Sequence, residues 1–226
     1  MRIAVLGTGP VGQTIAAKLA ELGNDVTVGT RSVEDAMTRS EPDDFGNPPF
    51  PEWAQQHPQI TVATLTDAAS GAELVVNATN GAGSISALEA AGQGNLAGKV
   101  LIDIANPLEF SQGMPPSLFV ANTDSLGEQI QRRFTDTRVV KTLNTMNAYL
   151  MVSPKQLGGG DHTVFLSGND SDAKVEVTQL LESFGWSDIV DLGDITTCRG
   201  TEMYLPLWLR TMSSIEDPMV NLRVVR

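Results

Sequence analysis

The chain is short of cations, cysteine and histidine, and each shortage removes a class of function. Fifteen lysines and arginines stand against 27 aspartates and glutamates, a net charge of −12. A surface that holds nucleic acid or anionic lipid needs clustered lysine and arginine, so neither partner is expected. The single cysteine, Cys198, allows no intrachain disulfide, and a reducing, cytoplasmic location is expected. The two histidines, His57 and His162, form no pair at metal-ligand spacing, and no G-x-S-x-G elbow occurs. Zinc hydrolases and serine hydrolases therefore drop out, and no metal is expected. No apolar run approaches a membrane span, and the first apolar segment passes straight into a glycine turn rather than a cleavage site.

What is present begins at residue 2. The run Ile3 to Leu6 reads as a strand, glycines follow at Gly7, Gly9 and Gly12, and an amphipathic segment from Gln13 to Leu22 reads as a helix. This is the G-x-G-x-x-G fingerprint between the strand and helix it requires. Gly7 permits the tight turn, Gly9 lets a pyrophosphate approach the backbone, and Gly12 allows close helix–strand packing. The helix would aim free N–H groups and a partial positive charge at the phosphates.

The second strand, Val26-Thr27-Val28, selects the dinucleotide. An NAD site ends this strand with a carboxylate for the ribose 2′-hydroxyl. Here the strand ends in Gly29-Thr30-Arg31-Ser32, whose guanidinium and hydroxyls suit a 2′-phosphate, so NADP(H) is expected. Ser32 also fits an N-cap before Val33-Glu34-Asp35, and Arg31 also fits a solvated loop.

Apolar, β-branched runs recur at Ile60–Ala63, Leu74–Ala78, Val100–Ile104, Arg138–Thr142, Thr163–Leu166 and near Ile189-Val190, separated by helical patterns such as Leu126–Phe134 and Ser171–Phe184. This alternation predicts an α/β fold, a Rossmann-type doubly wound parallel sheet with a small C-terminal α/β region. The expected division is a cofactor-binding domain over 1–143 and a small domain over 144–226 carrying substrate and dimer contacts. Ligands bind beyond the carboxyl ends of such strands. Those ends carry Ala78-Thr79-Asn80, Asn106-Pro107 and Asn144 to Ala148, although asparagine serves turns and helix caps equally well.

Two segments stand apart. Glu41 to Pro58 carries five prolines, which exclude a long helix, while Phe45, Phe50 and Trp53 are too apolar for a solvated linker. An ordered loop packed on this chain or on a partner subunit is expected, with a lid over the cofactor or substrate as the alternative. Thr201 to Met212 is apolar almost all round a helix, so burial between layers or subunits is expected, and with it a homodimer. Pro206 should kink this helix or mark its first turn.

The chemistry left open is narrow. The only tyrosines, Tyr149 and Tyr204, form no Tyr-x-x-x-Lys pair, so the proton donor that an alcohol dehydrogenase needs is missing. Hydride transfer between two ring cofactors asks only for stacking, alignment and exclusion of water. No catalytic side chain is therefore assigned.

Three segments carry a family resemblance: Gly7-Thr8-Gly9-Pro10-Val11-Gly12, Val28-Gly29-Thr30-Arg31-Ser32, and Val139-Val140-Lys141-Thr142-Leu143-Asn144-Thr145-Met146-Asn147. Together they resemble the NADP oxidoreductases that use the deazaflavin coenzyme F420. The ending, Asp191 to Asp194, Arg199-Gly200 and Leu205 to Leu209, is similar to the bacterial members. The resemblance implies that Thr8 to Val11 hold the pyrophosphate and that Thr30 and Arg31 hold the 2′-phosphate. It implies that Thr79-Asn80 and Asn144 to Ala148 surround the nicotinamide and the deazaflavin. The expected cofactor-binding set is Gly7, Thr8, Gly9, Pro10, Val11, Gly12, Thr30, Arg31, Ser32, Ala78, Thr79, Asn80, Asn106 and Ala148. Asn144, Thr145, Met146 and Asn147 are expected to face the second substrate. Archaeal members carry a His-Thr-Ile-Pro-like segment where this chain has Asn144 to Asn147. They also carry a basic residue where this chain has Glu34 and Asp35. A reductase of a flavin, quinone, carbonyl or imine thus stays open as an alternative acceptor chemistry, as does an NADPH-sensing module without turnover.

Overall fold

The structure, a computed structural model, describes residues 1–42 and 46–226. Ten strands occur in chain order among them: β1 (Arg2–Leu6), β2 (Asp25–Thr30), β3 (Thr61–Thr64), β4 (Leu74–Asn77), β5 (Val100–Asp103), β6 (Leu108–Glu109), β7 (Ser117–Leu118), β8 (Arg138–Thr142), β9 (Thr163–Gly168) and β10 (Asp188–Asp191). Eight of these form one sheet in the order β10-β9-β8-β5-β4-β1-β2-β3, and β6 pairs with β7 as a separate short hairpin. Every pairing in the large sheet is parallel except β8 with β9. The chain reverses direction across the sheet between β1 and β4, which places the ligand crevice at their carboxyl ends.

The helices are α1 (Pro10–Glu21), α2 (Val33–Met37), α3 (Phe50–Gln56), α4 (Leu65–Gly71), α5 (Gly81–Ala91), α6 (Gln93–Leu96), α7 (Leu126–Arg133), α8 (Ala148–Val152), α9 (Ser171–Phe184) and α10 (Cys198–Ile215). Alternation along the strands divides the apolar residues into two cores, because successive side chains point to opposite faces. Ile3, Val5, Val26 and Val28 meet Ile15 and Leu19 of α1 and Val177 and Leu181 of α9. Ala4, Leu6, Val75 and Leu101 meet Leu65 of α4, Leu88 of α5 and Ile130 of α7. Both faces are covered, as a parallel sheet requires. No helix among the described residues is long and apolar enough to cross a membrane.

The proline-rich segment is ordered where it is described, and it packs on its own chain. Its prolines permit one short helix, α3, with Pro51 in the first turn where a missing N–H costs nothing. Phe50 is buried, Trp53 stacks on Phe50 at 5.5 Å and on His57 at 4.6 Å, and Trp53 and Ala54 lie against the α1 core. Phe45 lies outside the described residues.

Within the single chain the C-terminal helix is buried along one side. It buries Cys198, Thr201, Glu202, Leu205 and Trp208, whereas Leu207 is 60% exposed. The apolar residues are split over two faces, and one is free in the single chain. Pro206 lies inside α10, in its middle turns rather than in the first. The tail then folds back: the Trp208 indole N–H donates to the Val220 carbonyl at 2.8 Å, and the Thr163 N–H donates to the Leu222 carbonyl at 2.8 Å.

If α3 is anchored by its aromatic face, Phe50→Ala should cost about 3–5 kcal/mol through the lost transfer energy and the cavity left behind. Urea unfolding reads this directly, and a loss below about 1 kcal/mol would mean that the segment is not part of the cooperative core.

Candidate dinucleotide and hydride-transfer site

The three glycines of the first turn face three different surroundings. Gly7 has φ +126°, and a Cβ there would sit 2.5 Å from the Ala78 carbonyl oxygen. A Cβ on Gly12 would lie 2.1 Å from the Gly7 carbonyl oxygen, so α1 could not approach the turn. Above Gly9 there is nothing within 4 Å. Two glycines are required by the protein's own packing, and the third faces open space that a ligand can use. The turn is pinned by the Gly7 N–H to the Gly29 carbonyl at 3.0 Å and by the Gln13 side-chain amide to the Thr8 carbonyl at 2.9 Å. No side chain caps α1, which leaves its first N–H groups for an anion. The residues present therefore fit a pyrophosphate.

The end of β2 lies beside this turn. Thr30 is buried, with its hydroxyl 3.4 Å from the Ser32 carbonyl, and Arg31 is exposed with no ion pair among the described residues. The Ser32 hydroxyl accepts the Asp35 N–H at 3.1 Å, the cap expected for α2. One cation was missed in the sequence. Arg39, past the end of α2, donates from Nη1 to the Thr8 hydroxyl at 2.9 Å.

The strand ends beyond β4, β5 and β8 are knitted by side-chain amides. The Asn106 amide donates to the Asn144 carbonyl at 2.8 Å, and the Asn144 amide donates to the Asn106 side-chain oxygen at 2.9 Å. The Thr79 hydroxyl donates to the Asn77 side-chain oxygen at 2.6 Å. Asn80 caps α5 through the Ala82 N–H at 3.0 Å. At Gly81 a Cβ would lie 1.9 Å from the Asn106 carbonyl oxygen, so α5 presses directly on the β5 end. Leu143 holds a left-handed φ of +61°, a conformation costing about 1–2 kcal/mol for a residue with a Cβ, and it aims the next residues at Asn106.

The segment expected to face the second substrate divides. Asn144 and Thr145 are buried at the strand end, and Met146 joins the α1-side core. The Asn147 side chain accepts the Leu150 N–H at 3.0 Å as the cap of α8 and also donates to the Pro218 carbonyl. Ala148, next to it, opens α8 and is part-exposed. Asparagine thus serves as a cap at two of these positions, Asn80 and Asn147.

Below these ends lies a buried ionic cluster that the sequence reading did not single out. The Lys141 ammonium is 2.8 Å from Asp103 and 2.9 Å from Glu202, and it also donates to the Ala105 carbonyl. Asp103 accepts the Asn77 amide at 2.8 Å, and Glu202 accepts the Leu126 and Gly127 N–H groups at 2.8 and 3.0 Å, at the start of α7. Burial alone would lower the lysine pKa, but the facing carboxylates Asp103 and Glu202 override it and raise it above the ordinary value. Cys198 sits beside this cluster with its thiol 3.1 Å from the Ser125 hydroxyl. Burial pushes that thiol up to about 12, against the pull of the Lys141 charge. The available signal was one lone charge of each sign in two apolar strands, Leu101-Ile102-Asp103 and Val139-Val140-Lys141, which pair in register as Asp103 opposite Lys141.

An open, mostly parallel sheet with a glycine turn at its switch point defines a Rossmann-type nucleotide-binding protein. The chain belongs to the NADP oxidoreductase, coenzyme F420-dependent, family: the family profile matches residues 2–107, and a full-length relative of the same family name shares its whole fold. That relative, from Arthrobacter sp. FB24, is provisionally named an F420-dependent NADP-reductase. Its crystal structure is 58% identical, with both chains covered completely and a TM-score of 0.96. The F420-dependent NADP reductase of Methanothermobacter marburgensis is 26% identical over 212 residues, covering 92% of this chain and 90% of the relative. Metalloreductase STEAP3 of Rattus norvegicus is also 26% identical over 212 residues, but the chain spans only 38% of its length. The protein is accordingly an NADP-dependent oxidoreductase.

Removing the lysine charge would strand two buried carboxylates. Lys141→Met should destabilise the protein by about 3–5 kcal/mol, measured by denaturant unfolding, and a change under about 1 kcal/mol would contradict the cluster's ionic character. The Cys198 thiol, ordinarily near 9.0 and here about 12, should resist iodoacetamide at pH 8 until urea unfolds the chain. Alkylation of the native protein at the rate of a free thiol would show that it is neither buried nor raised.

Proposed function

We propose that this protein transfers hydride between NADPH and the deazaflavin coenzyme F420. The observation that carries the reading is the chemistry of the strand ends. Thr79, Asn80, Asn106, Asn144, Thr145 and Asn147 bear amides and hydroxyls and no titratable group. The ionisable residues beneath them, Asp103, Lys141 and Glu202, are buried and already bonded to one another. Such a site aligns rings and excludes water, and these six residues offer no acid or base to serve a carbonyl or imine. When bound, NADPH supplies the hydride, and the deazaflavin accepts it together with one proton from solvent. The relative from Methanothermobacter, which bears the name of this activity, supports the same acceptor.

In this reading Gly7 to Gly12 hold the pyrophosphate and Thr30, Arg31 and Ser32 surround the 2′-phosphate. Ala78, Thr79, Asn80, Asn106 and Ala148 border the nicotinamide. Asn144 to Asn147 form the wall toward the deazaflavin, Met146 from beneath and Asn147 through the tail it holds. Residues 1–143 bind the cofactor and 144–226 complete the substrate side. The protein works in the cytoplasm as a homodimer, and the exposed apolar face of α10 around Leu207 supports the pairing.

Mixing the protein with NADPH and oxidised F420 should bleach the deazaflavin's visible absorbance rapidly. NADH should be the poorer donor and free flavin the poorer acceptor. Tight NADPH binding without bleaching would overturn F420 as the partner and leave the cofactor assignment standing.

A further inference from the structure

We infer that Arg39 is a second phosphate-binding cation of the NADP site, gripping the 2′-phosphate together with Arg31. The inference rests on the placement of that phosphate beside Thr30 to Ser32. The backbone brings the pieces together. The Gly7 N–H bond to the Gly29 carbonyl, and the pairing of Leu6 with Gly29, set Thr8 next to the end of β2. The hydroxyl of Thr38, which donates to the Glu34 and Asp35 carbonyls at 3.0 and 3.3 Å, closes α2 and turns the chain. Arg39 then crosses back over 31 positions of sequence to reach Thr8.

Charge gives the contact its direction. A 2′-phosphate is close to a dianion at neutral pH, and the first turn of α2 presents Glu34 and Asp35 to the same region. Arg31 alone is outnumbered by these two carboxylates near the proposed phosphate position, and a second cation restores the balance. Several other arginines are neutralised, Arg132 by Asp124, Arg133 by Glu89 and Arg199 by Glu128 among them. Arg39 pairs with no carboxylate among the described residues, and its recorded partner there is a neutral hydroxyl. That bond occupies Nη1 only and leaves the rest of the planar fork to reach phosphate oxygens. The Thr8 hydroxyl accepts from Arg39, and its own hydrogen has no acceptor among the described residues, so it can donate to the same anion.

The test measures the dissociation constants of NADPH and NADH by fluorescence titration for the wild type, Arg39→Ala, Arg39→Lys and Arg31→Ala. Arg39 is exposed, so the variants should keep the wild-type melting temperature, which is checked alongside. Loss of a charge-assisted contact predicts that Arg39→Ala weakens NADPH by about tenfold to a hundredfold and leaves NADH within about twofold. Arg39→Lys should fall between, since it keeps the charge and loses the fork. An unchanged NADPH constant in Arg39→Ala overturns the proposal, as does an equal loss for both nucleotides, which would make Arg39 only a brace of the glycine turn. Arg31→Ala separates the two levels of failure. A selective NADPH loss there, with none in Arg39→Ala, removes Arg39 alone. No selectivity in either variant removes the 2′-phosphate placement as well.

Discussion

The Lys141 ammonium, shut between Asp103 and Glu202, is the constraint on which the rest of the site depends. A buried charge is tolerated only when its partners and hydrogen bonds are complete, and here the requirement dictates geometry. Lys141 comes from β8, Asp103 from β5 and Glu202 from α10, while the N–H groups at the start of α7 hold Glu202 in turn. Four elements distant in sequence must meet at one point for the charges to be satisfied. Asp103 then passes the constraint outward through Asn77 to Thr79, at the mouth of the crevice. The polar rim is positioned from below by a cluster shut away from solvent.

The two ends of the crevice are built on different principles. At the glycine turn the protein presents backbone and leaves an open approach above Gly9, because phosphate recognition needs close N–H groups more than side chains. At the ends of β4, β5 and β8 the polar groups are mainly side-chain amides, and Asn106 and Asn144 are locked to each other. One end offers open backbone and the other a fixed polar wall.

What was legible in the sequence follows from how local its cause is. The roles of Gly7 and Gly12 could be read because a turn and a close approach demand glycine whatever the rest of the fold does. The Ser32 cap could be read because its partner lies three residues on. The alternation of strands set the fold class for the same reason. Arg39 could not be found, because it stands in a polar stretch without periodicity and its partner is the hydroxyl of Thr8. The pairing of Asp103 with Lys141 depends on the register of two strands separated by a helix and a hairpin, which no local pattern encodes. The inner face of α10 was illegible for another reason. Counting apolar residues round a helix does not reveal that one of its inward positions is Glu202, held by a lysine.

The sheet does not stop at β8. β9 pairs antiparallel with β8, Val140 opposite Gly168 and Thr142 opposite Leu166, and β10 extends the same ladder. Many two-lobed enzymes close on their substrates by swinging about a linker, and that motion is denied here because it would tear hydrogen bonds between neighbouring strands. The relative placement of the strand ends at Asn77, Asp103 and Thr142 is therefore a property of one continuous sheet, set at folding.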